Sequence, residues 1–450
     1  MKKNSMLLIS APLIIGLLSF SPAKAQTDSL KNKMSFGLNL LTHGETCGGG
    51  LPNTGNTDVV PEDRSNFLLG RLRLNVDYER QGLQLHAVIQ NKAVWGTGGN
   101  TALKLYEGWA KMTAKNGLFA QVGRVALSYD DERIIGTNDF AMAALSHDVV
   151  RLGYEGHGHK AHAILAYNQN DENVYLSTYY EIANGAQFYK TMQTLWYHYD
   201  VPVIPLGASL LFMNVGLQAG LQDNINMPAT TEYQQIWGGY INYHPKNLSV
   251  EGSYYRQTGK QVEKDKGTLK IKAWMASLLA KYNFNDNIGI KAGYDYLSGD
   301  DYVPVPYGGM LGMVRHQVLK GFAPLFGSRS KFYGILDYFY ESAYINGFTP
   351  GLQKAIFGVF GKPVEKLSCD VDYHYLAVAT EFNNLDSTLG HAIDLQGTYT
   401  FSKDISLSAG YTLMFGTDTM DRLKQGKSSK QARWGWFSLV ISPTIFTTKW

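Results

Sequence analysis

The chain has 450 residues, including 47 glycines, 29 tyrosines and 20 phenylalanines, with 41 basic side chains against 38 acidic ones and two cysteines. So even a charge balance excludes an electrostatic nucleic-acid binder, and Cys47 and Cys369 exclude a disulfide framework, leaving one optional disulfide or two free thiols. Beyond the N-terminal segment no run of about eighteen apolar residues occurs, which excludes a membrane helix and leaves strands as the way across a bilayer.

The first element is Lys2 and Lys3, the apolar stretch "MLLISAPLIIGLLSF" and Ala23-Lys24-Ala25. A basic head, an apolar core and an A-x-A site describe a secretory signal over residues 1–25, cleaved before Gln26. Loss of Lys2, Lys3 and Lys24 brings the formal charge from +3 to zero, and no cysteine follows the cut to carry a lipid anchor. Residues 26–33 form a short N-terminal segment, too short for a plug domain, and residues 34–450 form one domain.

Within that domain the period is two. In "LGRLRLNVDYER" (69–80), Leu72, Leu74, Val76 and Tyr78 alternate with Arg71, Arg73, Asn75 and Asp77. "CDVDYHYLAV" sets Val371, Tyr373 and Tyr375 against Asp370, Asp372 and His374; "HAIDLQGTYTF" and "DISLSAGYTL" repeat the alternation. Tight polar turns at 79–83, 114–118, 283–287 and 401–404 alternate with long segments at 43–65, 129–148, 171–189, 299–350 and 416–430. Short turns at one end and long loops at the other describe an all-β fold, a transmembrane antiparallel β-barrel of about eighteen strands with long external loops. Closure leaves no strand edge unpaired, so one domain of this length is acceptable. The final "WGWFSLVISPTIFTTKW", ending in Trp450, reads as the closing strand and a signal to the barrel assembly machinery.

"LKLYEGWAKMTAKNGLFAQVGRVALSYDDERIIGTNDF" and "SHDVVRLGYEG", with the later "FAPLFGSRSKFYGILDYFY" and "HAIDLQGTYTF", resemble the alginate export family of outer-membrane proteins. The resemblance implies an eighteen-stranded porin with an arginine-rich pore suited to a polyuronate. The acids of this chain's inward face depart from that pattern.

Alternation places a charged set in the lumen: Arg71, Arg73, Asp77, Glu107, Lys111, Arg151, Glu155, Glu251, Lys291, Asp295, Asp370, Asp372 and Asp394. Arg124 joins them on energetic grounds, because a lipid-facing charge at mid-depth costs about 2–4 kcal/mol; Val122 and Ala126 share its parity, so a bulge near Gly123 is required. Half or more of these charges are expected to pair across the lumen, the remainder setting a field for charged solutes. Asp130, Asp131, Glu132 and Arg133 read as a solvated external turn, with a calcium site the sharper alternative. His157, His159 and His162 fit a turn better than a zinc site, and His162, Ser253 and Asp394 have no spacing that singles out a hydrolase triad. No metal, cofactor or catalytic residue is assigned. Tyr78, Trp196, Tyr243 and Tyr282 are expected in the interfacial aromatic girdles. Residues 299–350, with Met310, Leu311, Met313, Phe322, Leu325 and Phe326, are too long and apolar to stay solvated and should enter or cover the pore.

The leading reading is therefore an outer-membrane channel, not an enzyme, for small polar or anionic solutes, including acidic oligo- or polysaccharide. Its partners would be outer-membrane lipid and lipopolysaccharide, the assembly machinery and the solute. The alternatives are a barrel-borne hydrolase and a non-conducting structural or adhesive barrel.

Overall fold

The computed structural model describes residues 32–48, 64–96, 103–139, 142, 144–171, 174–175, 177–181, 189–220, 229–263, 267–300, 302–307, 310–315, 318–328, 331, 349–380, 386–424 and 431–450. The secretory signal expected over residues 1–25 lies outside them. In chain order the strands are β1 (Lys33–Gly48), β2 (Arg64–Arg80), β3 (Leu83–Val94), β4 (Lys104–Thr113), β5 (Leu118–Val125), β6 (His147–Gly156), β7 (His159–Tyr167) and β8 (Thr191–Asp200). There follow β9 (Leu206–Ala219), β10 (Thr230–Tyr243), β11 (Leu248–Glu263), β12 (Gly267–Asn283), β13 (Ile288–Leu297), a separate hairpin of β14 (Tyr302–Tyr307) and β15 (Met310–Arg315), and the two-residue β16 (Val318–Leu319). The last are β17 (Leu352–Val364), β18 (Leu367–Ala377), β19 (Thr388–Ser402), β20 (Ile405–Gly416), β21 (Ala432–Ile441) and β22 (Thr444–Lys449).

Each wall strand pairs antiparallel with its chain neighbour, and β1 pairs on its other side with both β21 and β22. Those two are one closing strand interrupted at Ser442-Pro443, where Pro443 has no N–H to give but still accepts from Leu38 N (3.1 Å). The wall is therefore a closed barrel of 18 strands. Its ends are tied by reciprocal backbone bonds between Asn32 and Trp450, 2.8 and 3.0 Å. The seam is further joined by Trp434 Nε1 donating to Glu45 (2.8 Å) and by the His43–Ser438 hydrogen bond (2.6 Å).

Connections at one end span 81–82, 114–117, 157–158, 201–205, 244–247, 284–287, 365–366 and 403–404. In one of the two-residue turns, His157 and Gly158 both adopt positive φ (53° and 81°), the geometry that matches strand twist. At the other end the connections include 49–63, 126–146, 168–190, 298–351 and 417–431. This asymmetry identifies the long-loop end as external.

Leu72, Leu74, Leu85, Ile89, Leu105, Leu152, Leu195, Leu210, Phe357 and Val371 are exposed on the outer wall, the surface a bilayer would cover. Tyr243 and Tyr282 lie on that face as expected, and Tyr78 donates to Asn32 (2.8 Å) beside Trp450. Trp196 does not: it is buried and faces the lumen. Cys47 and Cys369 are free thiols on β1 and β18.

Two long connections enter the lumen. Leu127, Tyr129, Ile134 and Ile135 from the β5–β6 connection pack in one cluster with Leu319, Phe322 and Phe326 from the β13–β17 connection and with Met192, Met213, Tyr255 and Met275 of the wall. The two connections are sewn together by a parallel bridge between Ile135 and Phe326. Gly136 N donates to Phe326 O (2.8 Å), and Ser328 N donates to Glu132 O (2.8 Å). A short helix, Asp418–Lys424, capped by Thr417 and burying Met420 and Leu423, packs beside β19 at the same end.

Candidate functional site

The β5–β6 connection crosses the lumen and is pinned at both walls. On the side of β2, the Asp139 carboxylate receives both amino ends of the Arg71 guanidinium (3.0 and 3.2 Å) and lies 2.8 Å from an Arg73 nitrogen. Arg73 is fixed in turn, donating from Nε to Gln90 (2.8 Å) and stacking its guanidinium 3.9 Å from the Tyr106 ring centroid. Tyr106 reaches the lumen because a bulge opposite Val88/Ile89 gives β4 an extra inward residue. Arg71 and Arg73 are 3% and 9% exposed, whereas the Asp139 side chain is 48% exposed. The carboxylate thus covers two buried arginines while itself facing the passage.

On the opposite wall, Arg133 of the same connection reaches Asp295 of β13 (2.9 Å) and its own neighbour Asp131 (2.9 Å). Asp295 also holds Lys354 of β17 (2.9 Å) and accepts from Ser277 (2.6 Å). Further round, Lys291 sits between Asp370 (3.0 Å) and Asp372 (2.8 Å), and His374 pairs with Asp394 (3.0 Å). Between the walls Asp130 accepts from Trp196 Nε1 (3.1 Å) and Tyr255 (3.4 Å), and burial holds its carboxyl above the usual range. Burial likewise raises Asp131, against the lowering influence of Arg133. Below them Tyr129 shares a hydrogen bond with His162 (3.0 Å) and accepts from Arg151 (3.2 Å), while His162 and Lys111 approach Glu155 at 3.1 and 3.8 Å.

The thirteen charged positions assigned from alternation take the inward parity: Arg71, Arg73, Asp77, Glu107, Lys111, Arg151, Glu155, Glu251, Lys291, Asp295, Asp370, Asp372 and Asp394. Asp77 meets His86 (2.7 Å) and Glu107 accepts from Trp109 (3.2 Å). Arg124 is the correction. It shares the outer face with Val122, and no register shift occurs near Gly123, whose φ of 127° is accommodated without a bulge. The cost of an outward charge is met by position and pairing: Arg124 stands one residue from the end of β5 and makes a two-pronged bond to Asp148 (2.8 and 2.7 Å).

The acidic stretch 130–133 is likewise not a solvated turn. Its apolar neighbours Leu127, Tyr129, Ile134 and Ile135, all 5% exposed or less, draw it into the lumen, where each charge finds a protein partner. Among the described residues no group of ligands could hold a metal ion. His157 forms the turn, His159 stacks on Tyr199 and His162 faces the lumen. His162, Ser253 and Asp394 belong to β7, β11 and β19 and make no common contact; Asp394 faces His374 instead. Of residues 299–350, the described segment 318–328 does enter the lumen.

Asp139, Gln90, Tyr106 and Lys354 were not singled out by sequence reasoning. For Lys354 a signal existed, since Phe357 and Val359 point outward and parity then turns Lys354 inward. For Asp139 none did, because a loop residue carries no period.

The architecture is that of a closed barrel of the membrane-crossing type, narrowed by its own external connections. Three solved structures from Pseudomonas aeruginosa share it. OccK5 (OpdH) is 12% identical, with a TM-score of 0.55 over 92% of this chain and 99% of that one. OccK9 (OpdG) is also 12% identical, with a TM-score of 0.57 over 91% and 98%. OccK2 (OpdF), solved in complex with glucuronate, is 10% identical, with a TM-score of 0.55 over 92% and 98%. At such identities the likeness is one of fold. No family model and no curated protein matches the sequence, so the resemblance to the alginate export family rests on its motifs alone.

Proposed function

We propose that the protein is an outer-membrane channel for small anionic solutes, carboxylates foremost. One observation carries this reading: Arg71 and Arg73, buried in the narrowed lumen, already hold a carboxylate, that of Asp139. A paired guanidinium site on an oxyanion gives both charge and geometry. Two cations against one carboxylate also leave local positive charge, which Lys92 and Lys104, inward on β3 and β4 with no acid partner among the described residues, reinforce. A solute carboxylate enters by exchanging with Asp139.

The fold neighbours support the channel reading, and the glucuronate bound to OccK2 makes a uronate the natural probe. The alginate-type motifs extend the solute class to acidic oligosaccharide; the inward connections favour short pieces over polymer. In this reading the chain is exported by its cleaved signal and inserted through its closing strand by the assembly machinery.

The test is single-channel recording with glucuronate against glucose. Glucuronate should interrupt the current and glucose should not, and R71Q/R73Q should weaken the glucuronate effect on the order of tenfold or more, since a charge-assisted bond contributes roughly 1.5–3 kcal/mol. Equal block of wild type and a folded double variant would reject the site.

A further inference from the structure

On the outer wall, β11 and β12 are 16 and 17 residues long, more than the 9–11 residues or so that cross a bilayer, and they are joined by only 264–266. Their external ends therefore stand clear of the hydrocarbon. The outward positions of this projecting hairpin are Arg256, Thr258 and Lys260 on β11 and Lys270 and Lys272 on β12. Lys260 is directly opposite Lys270, and Lys272 opposite Thr258. All four cations are exposed, and none makes an ion pair with an acid among the described residues. Like charges facing each other across a strand pair are destabilising unless an anion sits between them.

What lies just below makes the cluster more than a solvated face. Trp237, Tyr254, Trp274 and Tyr296 form an outward aromatic group, with Trp274 stacked on Tyr296 (4.5 Å) and near Tyr254 (6.1 Å). Arg256 stands over Trp237, 6.0 Å from its ring centroid. Beside the hairpin, a chain of outward side-chain amides runs from Gln193 through Asn214 to Gln235, at 2.7 and 2.8 Å. Aromatic rings mark the interface and amides are not lipid-chain contacts, so the lysines stand at headgroup height.

We infer that Arg256, Lys260, Lys270 and Lys272 form a docking site for a phosphorylated glycolipid of the outer leaflet, its phosphate between the lysines and its acyl chains on the aromatic group and Leu278 below. The inference rests on the outer-membrane reading but not on the carboxylate site. Near a membrane surface each lysine adds measurably to anion affinity.

The experiment is native mass spectrometry of the purified barrel in neutral detergent titrated with bisphosphorylated lipid A, its dephosphorylated form and inorganic phosphate. Wild type should retain lipid A through detergent exchange, and K260Q/K270Q/K272Q should retain it on the order of tenfold less. The dephosphorylated lipid should bind equally weakly to both, and inorganic phosphate alone should not displace lipid A. Equal retention by wild type and the triple variant overturns the inference, as does displacement by phosphate at equimolar concentration, which would make the cluster a free-anion site. Should the triple variant fail to insert, K270Q carries the same comparison with a several-fold loss. Single-channel conductance should be unchanged in these variants; a wild-type barrel that conducts nothing would instead remove the channel reading and leave this test standing.

Discussion

The two walls of the lumen use the same side-chain chemistry to different ends. Around β13–β19 the cations are matched: Lys291 by Asp370 and Asp372, Lys354 by Asp295, which also takes Arg133. Around β2–β4, Arg71 and Arg73 share a single carboxylate that comes from a connection, not from the wall. The matched wall holds the inward connection in place. On the other wall two guanidiniums share one carboxylate, which the proposed reading takes as an exchangeable counter-ion. Charge pairing within a barrel therefore distinguishes anchoring from recognition better than the count of arginines does.

The largest effect expected from disturbing this contrast is on the matched wall. Lys354→Met would leave Asp295 buried with Arg133 as its only cation, and removing one partner of a buried pair costs about 3–5 kcal/mol. The thermal midpoint of the detergent-solubilised barrel should fall sharply, with ion selectivity little altered in molecules that remain folded. An unchanged midpoint would show that the matched wall is not the anchor.

A smaller effect follows from pH. Burial raises the Asp130 and Asp131 carboxyls in the seated connection, so the seated form binds protons more tightly than a form open to water. Seating is thus fully favoured below the ordinary carboxylate value and loses that advantage as pH rises through the raised one. Acidification from neutral pH should quiet the open-channel fluctuations, by at most about tenfold in occupancy per unit of displacement, and Asp130→Asn should blunt the response. Fluctuations that grow on acidification would contradict the assignment.

The smallest effect belongs to Arg124. With its Asp148 partner at the outer rim, Arg124→Gln should cost less than about 1 kcal/mol and leave reversal potentials alone. A shift in selectivity would return this residue to the lumen.

Strand number, closure, loop asymmetry and nearly all inward charges were legible in the sequence because a period of two is written residue by residue. Arg124 departs from the expected inward face because the mid-depth lipid penalty does not hold for a residue at the rim. The stretch 130–133 departs from a solvated turn because Ile134 and Ile135 beside it carry it inward, the same apolar content that draws 318–328 into the lumen. Asp139, the residue that defines the candidate site, was illegible because its place depends on a crossing that only tertiary packing sets.

The central claim is that Arg71 and Arg73 make the narrowed lumen an anion path with Asp139 as their internal counter-ion. The most direct test is the zero-current potential across a KCl gradient in planar bilayers at low salt, where the Debye length is about 30 Å at roughly 0.01 M. Wild type should prefer anions, Asp139→Asn should strengthen that preference, and R71Q/R73Q should abolish it. A folded barrel that conducts nothing, or one whose potential ignores both substitutions, would contradict the account.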